Sequence, residues 1–308
     1  MITHNIMGGL CNQIFQIVAC IALSIETKQP FLFLYQTKMD TKRTSYWDTF
    51  FIHLRDTHTT TSFDLNEYNN ISFIHENENA YTPFVLNKDT QNVKDLIIIN
   101  GYYQSYKYFE NQFEEISNII GIQRIKQDLK KTIMYVDDFP PKKMKKNSPL
   151  FLPAPLTHSK IVSLHFRLGD YKELPDFHPI LPFEYYKNSI TYILQNEDCS
   201  SLQLFYFCED NKEDISIVEK MVNELKEIFP MCHFYKISFP QIPDWKQMLM
   251  MSMCNHNIIA NSTFSWWGAY LNDHKNKIVC YPELWFGRAM SKNTNDLFPL
   301  GWKKIGTH

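Results

Sequence analysis

Three segments of this 308-residue chain end an apolar run on groups that could hold an anion or a sugar. The first is Asn257 to Leu271, NIIANSTFSWWGAYL, where small polar residues interrupt the run before a tryptophan pair. That pattern reads as a buried strand delivering a helix N-terminus. Unpaired backbone N–H groups there, with the hydroxyls of Ser262, Thr263 and Ser265 and the amide of Asn261, suit a diphosphate. In the second, Arg167-Leu168-Gly169-Asp170 follows the apolar Ile161–Phe166; in the third, Cys208-Glu209-Asp210 follows Leu202–Phe207. A guanidinium can grip a phosphate in a bidentate fork, and a carboxylate can accept from a base or a ribose. Guanine, with two adjacent donors, pairs especially well with one carboxylate. The set therefore matches a nucleotide diphosphate. Plainer readings stand beside it: an ion pair of Arg167 with Asp170 closing a strand end, and a solvated turn at Glu209 and Asp210.

Several function classes recede. A net charge of -2 and a pI near 6.6 supply no chain-wide attraction to nucleic acid. No Gly-rich dinucleotide fingerprint or P-loop occurs, so hydride transfer and ATP hydrolysis drop away. The histidines show no zinc spacing, and no Asp-x-Asp sits at a strand end to hold a divalent ion against a diphosphate. Charge neutralisation would then fall to Arg167 and backbone dipoles. The seven cysteines are scattered and include no C-x-x-C pair, as in the reduced core of an intracellular protein. The run Ile14 to Ile25 contains Gln16, is short for a bilayer, and lacks the basic flank of a signal peptide. A soluble, cytoplasmic protein without a transmembrane segment is expected, with peripheral membrane association left open. Met248, Met250, Met251 and Met253, and the pair Trp266 and Trp267, read as core packing.

The elements that must position these groups divide in two. Residues 2–25 read as a strand, a turn at Gly8 and Gly9, and an apolar helix. Short aromatic strands follow, with Leu96–Ile99 leading into Gly101-Tyr102-Tyr103-Gln104. The stretch Asp137–Pro155, rich in proline and with a lysine-rich run at 142–146, reads as a linker. Beyond it strands at 161–166, 202–207, 233–237, 258–260 and 278–281 alternate with helices at 183–195, 214–229, 244–254 and 266–272. This alternation predicts an α/β fold with a parallel doubly wound sheet, whose ligand crevice lies outside the carboxyl ends of its strands. Expected domains are 1–150 and 151–308.

Read together, the motifs carry a resemblance. GGLCNQIFQ (Gly8 to Gln16) looks like G-G-L-G-N-Q-M-F-Q, HFRLGDY (His165 to Tyr171) like H-V-R-R-G-D-Y, and NSTFSWWGAYL (Asn261 to Leu271) is close to a consensus of the same family. The chain resembles glycosyltransferase family 11, the α-1,2-fucosyltransferases. Weaker likenesses at 101–109, 205–210 and 244–260 extend it over almost the whole chain.

The resemblance implies a GT-B fold: two Rossmann-like domains facing across a cleft, an acceptor-side first and a GDP-fucose-binding second, with a last helix packing back on the first. It implies inverting, metal-independent transfer of L-fucose from GDP-fucose to the 2-hydroxyl of a terminal galactose. No further cofactor is expected, and the partners are this donor and a galactose-terminated glycan. By the same resemblance Arg167 stabilises departing GDP, His165 with Glu209 or Asp210 holds guanine and ribose, and Ser262, Thr263 and Phe264 line the diphosphate and fucose pocket. Asn12 approaches the transferred sugar, and Gly8, Gly9, Gln13 and Asn261 complete the donor contacts. The first choice of base is Asp170, followed by Glu173 and Asp176. Two residues depart from the pattern: Leu168 for a second arginine, and Cys11 for a glycine. Two other readings stay open, a related glycosyltransferase of different donor or linkage and a non-catalytic glycan- or nucleotide-sugar-binding module.

Overall fold

The computed structural model describes residues 1–37, 43–77, 80–85, 95–137, 139–140, 150–290 and 292–307. The chain divides into two compact units, Met1–Gln127 with Lys292–Pro299, and Asp128–Ser291 with Leu300–His308.

The first unit runs β1 (Ile2–His4), α1 (Leu10–Thr27), β2 (Phe33–Leu34), α2 (Ile52–His58), β3 (Thr59–Thr60), β4 (Asn70–His75), β5 (Asp95–Asn100) and α3 (Phe113–Ile120). Then α4 (Ile122–Thr132) crosses the boundary. β1, β5 and β4 form a parallel sheet in that order. The central β5 has no polar face to spare, and Leu96, Ile97 and Ile99 are all buried. α1 is apolar enough over 18 residues to pass for a membrane span, at mean hydropathy 1.4, but 78% of that window is buried inside the protein. The helix is longer than the apolar run at 14–25, and its apolar surface is spent on the core.

In the second unit β6 (Ile133–Val136) pairs in parallel with β7 (Leu150–Pro153). That pairing explains why the boundary falls at 127/128 rather than at 150: β6 goes with its partner β7. Of the expected linker, 138 and 141–149, including the lysine-rich run, lie outside the described residues. The expected last helix is absent among the described residues, α8 (Thr263–Tyr270) being the final α-helix. Lys292–Pro299 instead joins the first unit through Asp296, whose Oδ1 lies 2.5 Å from Lys107 Nζ and whose carbonyl accepts from Ser105 Oγ.

The remaining elements are β8 (Ser159–His165), α5 (Phe183–Asn196), β9 (Ser201–Phe207), α6 (Lys212–Ile228), β10 (His233–Lys236), α7 (Asp244–Met251), β11 (His256–Ile258), α8, β12 (Val279–Pro282) and β13 (Lys303–Ile305). They build one six-stranded parallel sheet, ordered β10-β9-β8-β11-β12-β13. Counted along this sheet's own strands the order is third, second, first, fourth, fifth, sixth, the doubly wound arrangement whose strand order reverses between β8 and β11. Val162, Leu164, Phe166, Leu204 and Ile258 fill its centre. Met248, Met250, Met251, Trp266 and Trp267 are buried, as core packing requires. α8 approaches α7 closely because position 268 is glycine: a Cβ there would stand 2.8 Å from Met251 Cβ.

Among the boundaries that differ from expectation, three have a visible cause in polar side chains. α8 opens at Thr263 rather than at 266 because Ser262 caps it, its hydroxyl accepting from Phe264 N. α6 opens at Lys212 because Asn211 does the same for Asp214 N. β11 begins at His256, whose polar character masked a buried strand; the Asn257 amide donates to Ser163 Oγ (2.7 Å) and Met251 O (2.9 Å).

Candidate active site

The reversal between β8 and β11 is closed by side chains. His165, the last residue of β8, places Nδ1 2.9 Å from Ser265 Oγ in the first turn of α8, and that oxygen also accepts from Ala260 N (3.1 Å). Burial, and then the charge of Arg167, push His165 down to about 3, so the ring is neutral at any ordinary pH. The Phe264 ring lies 5.5 Å from it. Asn261 is buried, and its amide donates to Pro179 O (2.9 Å) and Trp285 O (3.2 Å). Its Oδ1 has no hydrogen-bond partner among the described residues, while its carbonyl accepts from Tyr171 OH (3.0 Å). Ser262 and Thr263 therefore stand at a helix start whose flanks are held from both sides.

Arg167 leaves β8 with 25% of its side chain exposed and forms ion pairs with Glu209 and Asp170. Its guanidinium also lies 4.6 Å from the centre of the Tyr171 ring. The ion pair with Asp170 that the plainer reading proposed is thus present. Glu209 is turned toward the loop itself, its Oε2 accepting from Leu168 N (3.2 Å). Asp210 lies 3.6 Å from Lys236. Leu168, at the place of the usual second arginine, is buried in the sheet core. Glu173 and Asp176 are exposed on the segment beyond.

The remaining candidates lie in the first unit. Gly8 adopts φ +80°, and a Cβ there would stand 2.9 Å from Asn12 Nδ2, so glycine is needed twice over. Gly9 precedes α1 in extended conformation, and Cys11 lies inside the helix, where a side chain costs nothing. Gln13 is buried, and its amide braces the loop by donating to Gly8 O and Thr44 O, both at 2.9 Å. Asn12 Oδ1 accepts from Gln104 Nε2 at 3.0 Å. The Gly101–Gln104 turn is held by Glu76, whose Oε2 accepts from Tyr102 N (2.7 Å). Within that turn Tyr103 is itself left-handed, at φ 52°.

Sequence alone assigns no role to Tyr171, Lys172, Asp214, Glu76 or Gln104. Only Asp214 leaves a local trace, the Asn211-x-x-Asp214 spacing of a helix cap. Among the described residues no group of three or more His, Cys, Asp or Glu is set to hold a metal ion.

A parallel sheet in this strand order, with a guanidinium and a capped helix start at its reversal point, is the doubly wound α/β arrangement whose ligands bind outside the carboxyl ends of the strands. Comparison with known proteins narrows the class. The pattern of glycosyl transferase family 11 matches residues 155–306. The O-antigen biosynthesis glycosyltransferase WbnK of Escherichia coli is 30% identical over 319 residues, covering 94% of this chain and 96% of its own length. An alpha-1,2-colitosyltransferase of Escherichia coli is 28% identical over 208 residues, 67% of this chain and 61% of its own. The solved structure of an Arabidopsis thaliana FUT1 mutant in complex with GDP gives a TM-score of 0.44 at 12% identity, covering 95% of this chain and 74% of that one. The chain belongs to glycosyl transferase family 11 and is a glycosyltransferase.

Proposed function

We propose that this enzyme moves L-fucose from GDP-fucose to the 2-hydroxyl of a terminal galactose on a glycan, with inversion and without a metal ion. The observation that carries the reading is the reversal point of the second unit, where Arg167, His165 and the capped start of α8 meet at the strand ends. A diphosphate would lie against the N–H groups of α8, with its β-phosphate on Arg167. Arg167 would exchange part of its pairing with Glu209 and Asp170 for the phosphate, so that positive charge is in place as the bond to GDP breaks. His165, being neutral, orients Ser265 and adds no charge of its own. Asp170, beside Arg167, is our choice for the group that takes the acceptor proton. Within the first unit, Asn12 is held by Gln104. We place the enzyme in the cytoplasm, on a precursor glycan of the O-antigen kind that WbnK's name indicates.

A second reading has a specific support: one relative is named a colitosyltransferase. Colitose is fucose without its 3-hydroxyl, so the same pocket could take it. The test is product analysis with GDP-fucose and with GDP-colitose on β-galactoside acceptors in the presence of EDTA. An α-1,2-fucosylated product is expected; colitose transfer alone would replace the donor. Binding without transfer to any acceptor would favour a non-catalytic module instead.

A further inference from the structure

The turn carrying Arg167 is fastened by a carboxylate outside every recognised motif. Leu168 (φ -121°, ψ -98°) and Gly169 (φ 47°) depart from strand geometry, and each of their N–H groups donates to a carboxylate that follows β9. Leu168 N donates to Glu209 Oε2 at 3.2 Å, and Gly169 N to Asp214 Oδ2 at 2.9 Å. Asp214 sits in the first turn of α6, its side chain 0% exposed, and its Oδ2 also accepts from Asn211 Nδ2 at 2.5 Å. Its other oxygen lies 2.7 Å from Nζ of Lys172, in the 3₁₀ turn Gly169–Glu173 that follows Arg167. Lys172 also meets the exposed Glu213 at 2.7 Å.

Burial alone would raise the Asp214 carboxyl; Lys172, Asn211 and the Gly169 N–H outweigh it and hold the group below the usual range. A buried ion pair is a poor way to gain stability, because an apolar pair of similar volume usually does as well, but it can fix one arrangement against others. Asp214 contacts the loop two residues and five residues past Arg167, gripping it like a bracket.

We propose that Asp214 and Lys172 are a positioning pair that sets the Arg167–Asp170 turn, and through it the guanidinium, against the donor diphosphate. The inference rests on the reading that Arg167 binds that diphosphate.

The test is a thermodynamic cycle on GDP affinity, measured by calorimetry on the full chain, with titrations carried to millimolar GDP so that weakened variants saturate. Arg167→Ala should weaken GDP binding about tenfold or more, as expected for a lost charged contact. Asp214→Asn and Lys172→Met should each weaken it several-fold in the wild-type background and have no further effect in the Arg167→Ala background. Lys172→Arg should restore most of the loss. Multiplying losses in the double variants, or unchanged affinity in both single variants, would overturn the pair's positioning role. Unchanged affinity in Arg167→Ala would instead overturn the donor-site reading, and the pair's role with it. If Asp214→Asn fails to fold, Lys172→Met carries the cycle, since its site is partly exposed.

Discussion

Ser265 joins the strand end to the helix start with one oxygen, which bonds both the His165 ring and the Ala260 N–H. Replacing it with alanine leaves two buried polar groups short of a partner, so Ser265→Ala should cost about 1–3 kcal/mol of stability. Denaturant unfolding would register this as a lower midpoint at unchanged slope; an unchanged midpoint would show the bond to be incidental. At this scale the sequence was readable where a polar group directly follows an apolar run, as at Arg167, Asn261 and Ser262, which the structure sets at strand ends and a helix start. It was not readable where a partner is distant in sequence: Asp214 meets Gly169 only after α5, β9 and the start of α6 have intervened. Leu168 is the instructive case. Compared with a consensus it looks like a missing cation, yet its side chain occupies the sheet core.

Two segments, 174–180 and 284–290, are held together by backbone contacts at Gly287 and Ala289. Gly287 N donates to Phe177 O (2.9 Å), and a Cβ at 287 would stand 2.2 Å from Asp176 O. Asn261 spans the same junction through Pro179 O and Trp285 O. Gly287→Ala should therefore drive these segments apart, at a cost of about 1–3 kcal/mol from overpacking. Chemical denaturation checks it, and wild-type stability would mean that the junction yields freely. The alternation of strands and helices beyond residue 155 was legible because parallel buried strands read as continuous apolar runs. β13 was not, because Lys303-Lys304-Ile305 is short, charged and at the sheet edge. The starts of α6 and α8 were shifted by caps, which lie one residue outside the periodic pattern.

Across the whole molecule, three buried histidines share one behaviour: burial is the leading cause that pushes His4 and His256 down to about 4 and His165 to about 3. The folded state keeps each neutral, while the unfolded chain takes up protons below roughly pH 6.5. Their contribution to stability is thus intact above that pH and lost as pH falls toward 4, at about 1.4 kcal/mol per pH unit for each. Melting temperature at matched ionic strength should drop between pH 7 and pH 5, and a flat profile would contradict neutral burial. The division into two units was legible from composition, but its position was not, since β6 precedes the proline-rich stretch yet pairs beyond it. The central claim is a guanosine diphosphate-sugar site at the reversal point of the second unit. It is tested most directly by melting the protein, without metal, against GDP, GDP-fucose, GDP-mannose, UDP-galactose and ADP. A saturating ligand raises the melting temperature, by a few degrees at high excess. We predict such a rise with guanosine ligands alone; a rise confined to UDP-galactose or ADP, or none at all, would contradict the account.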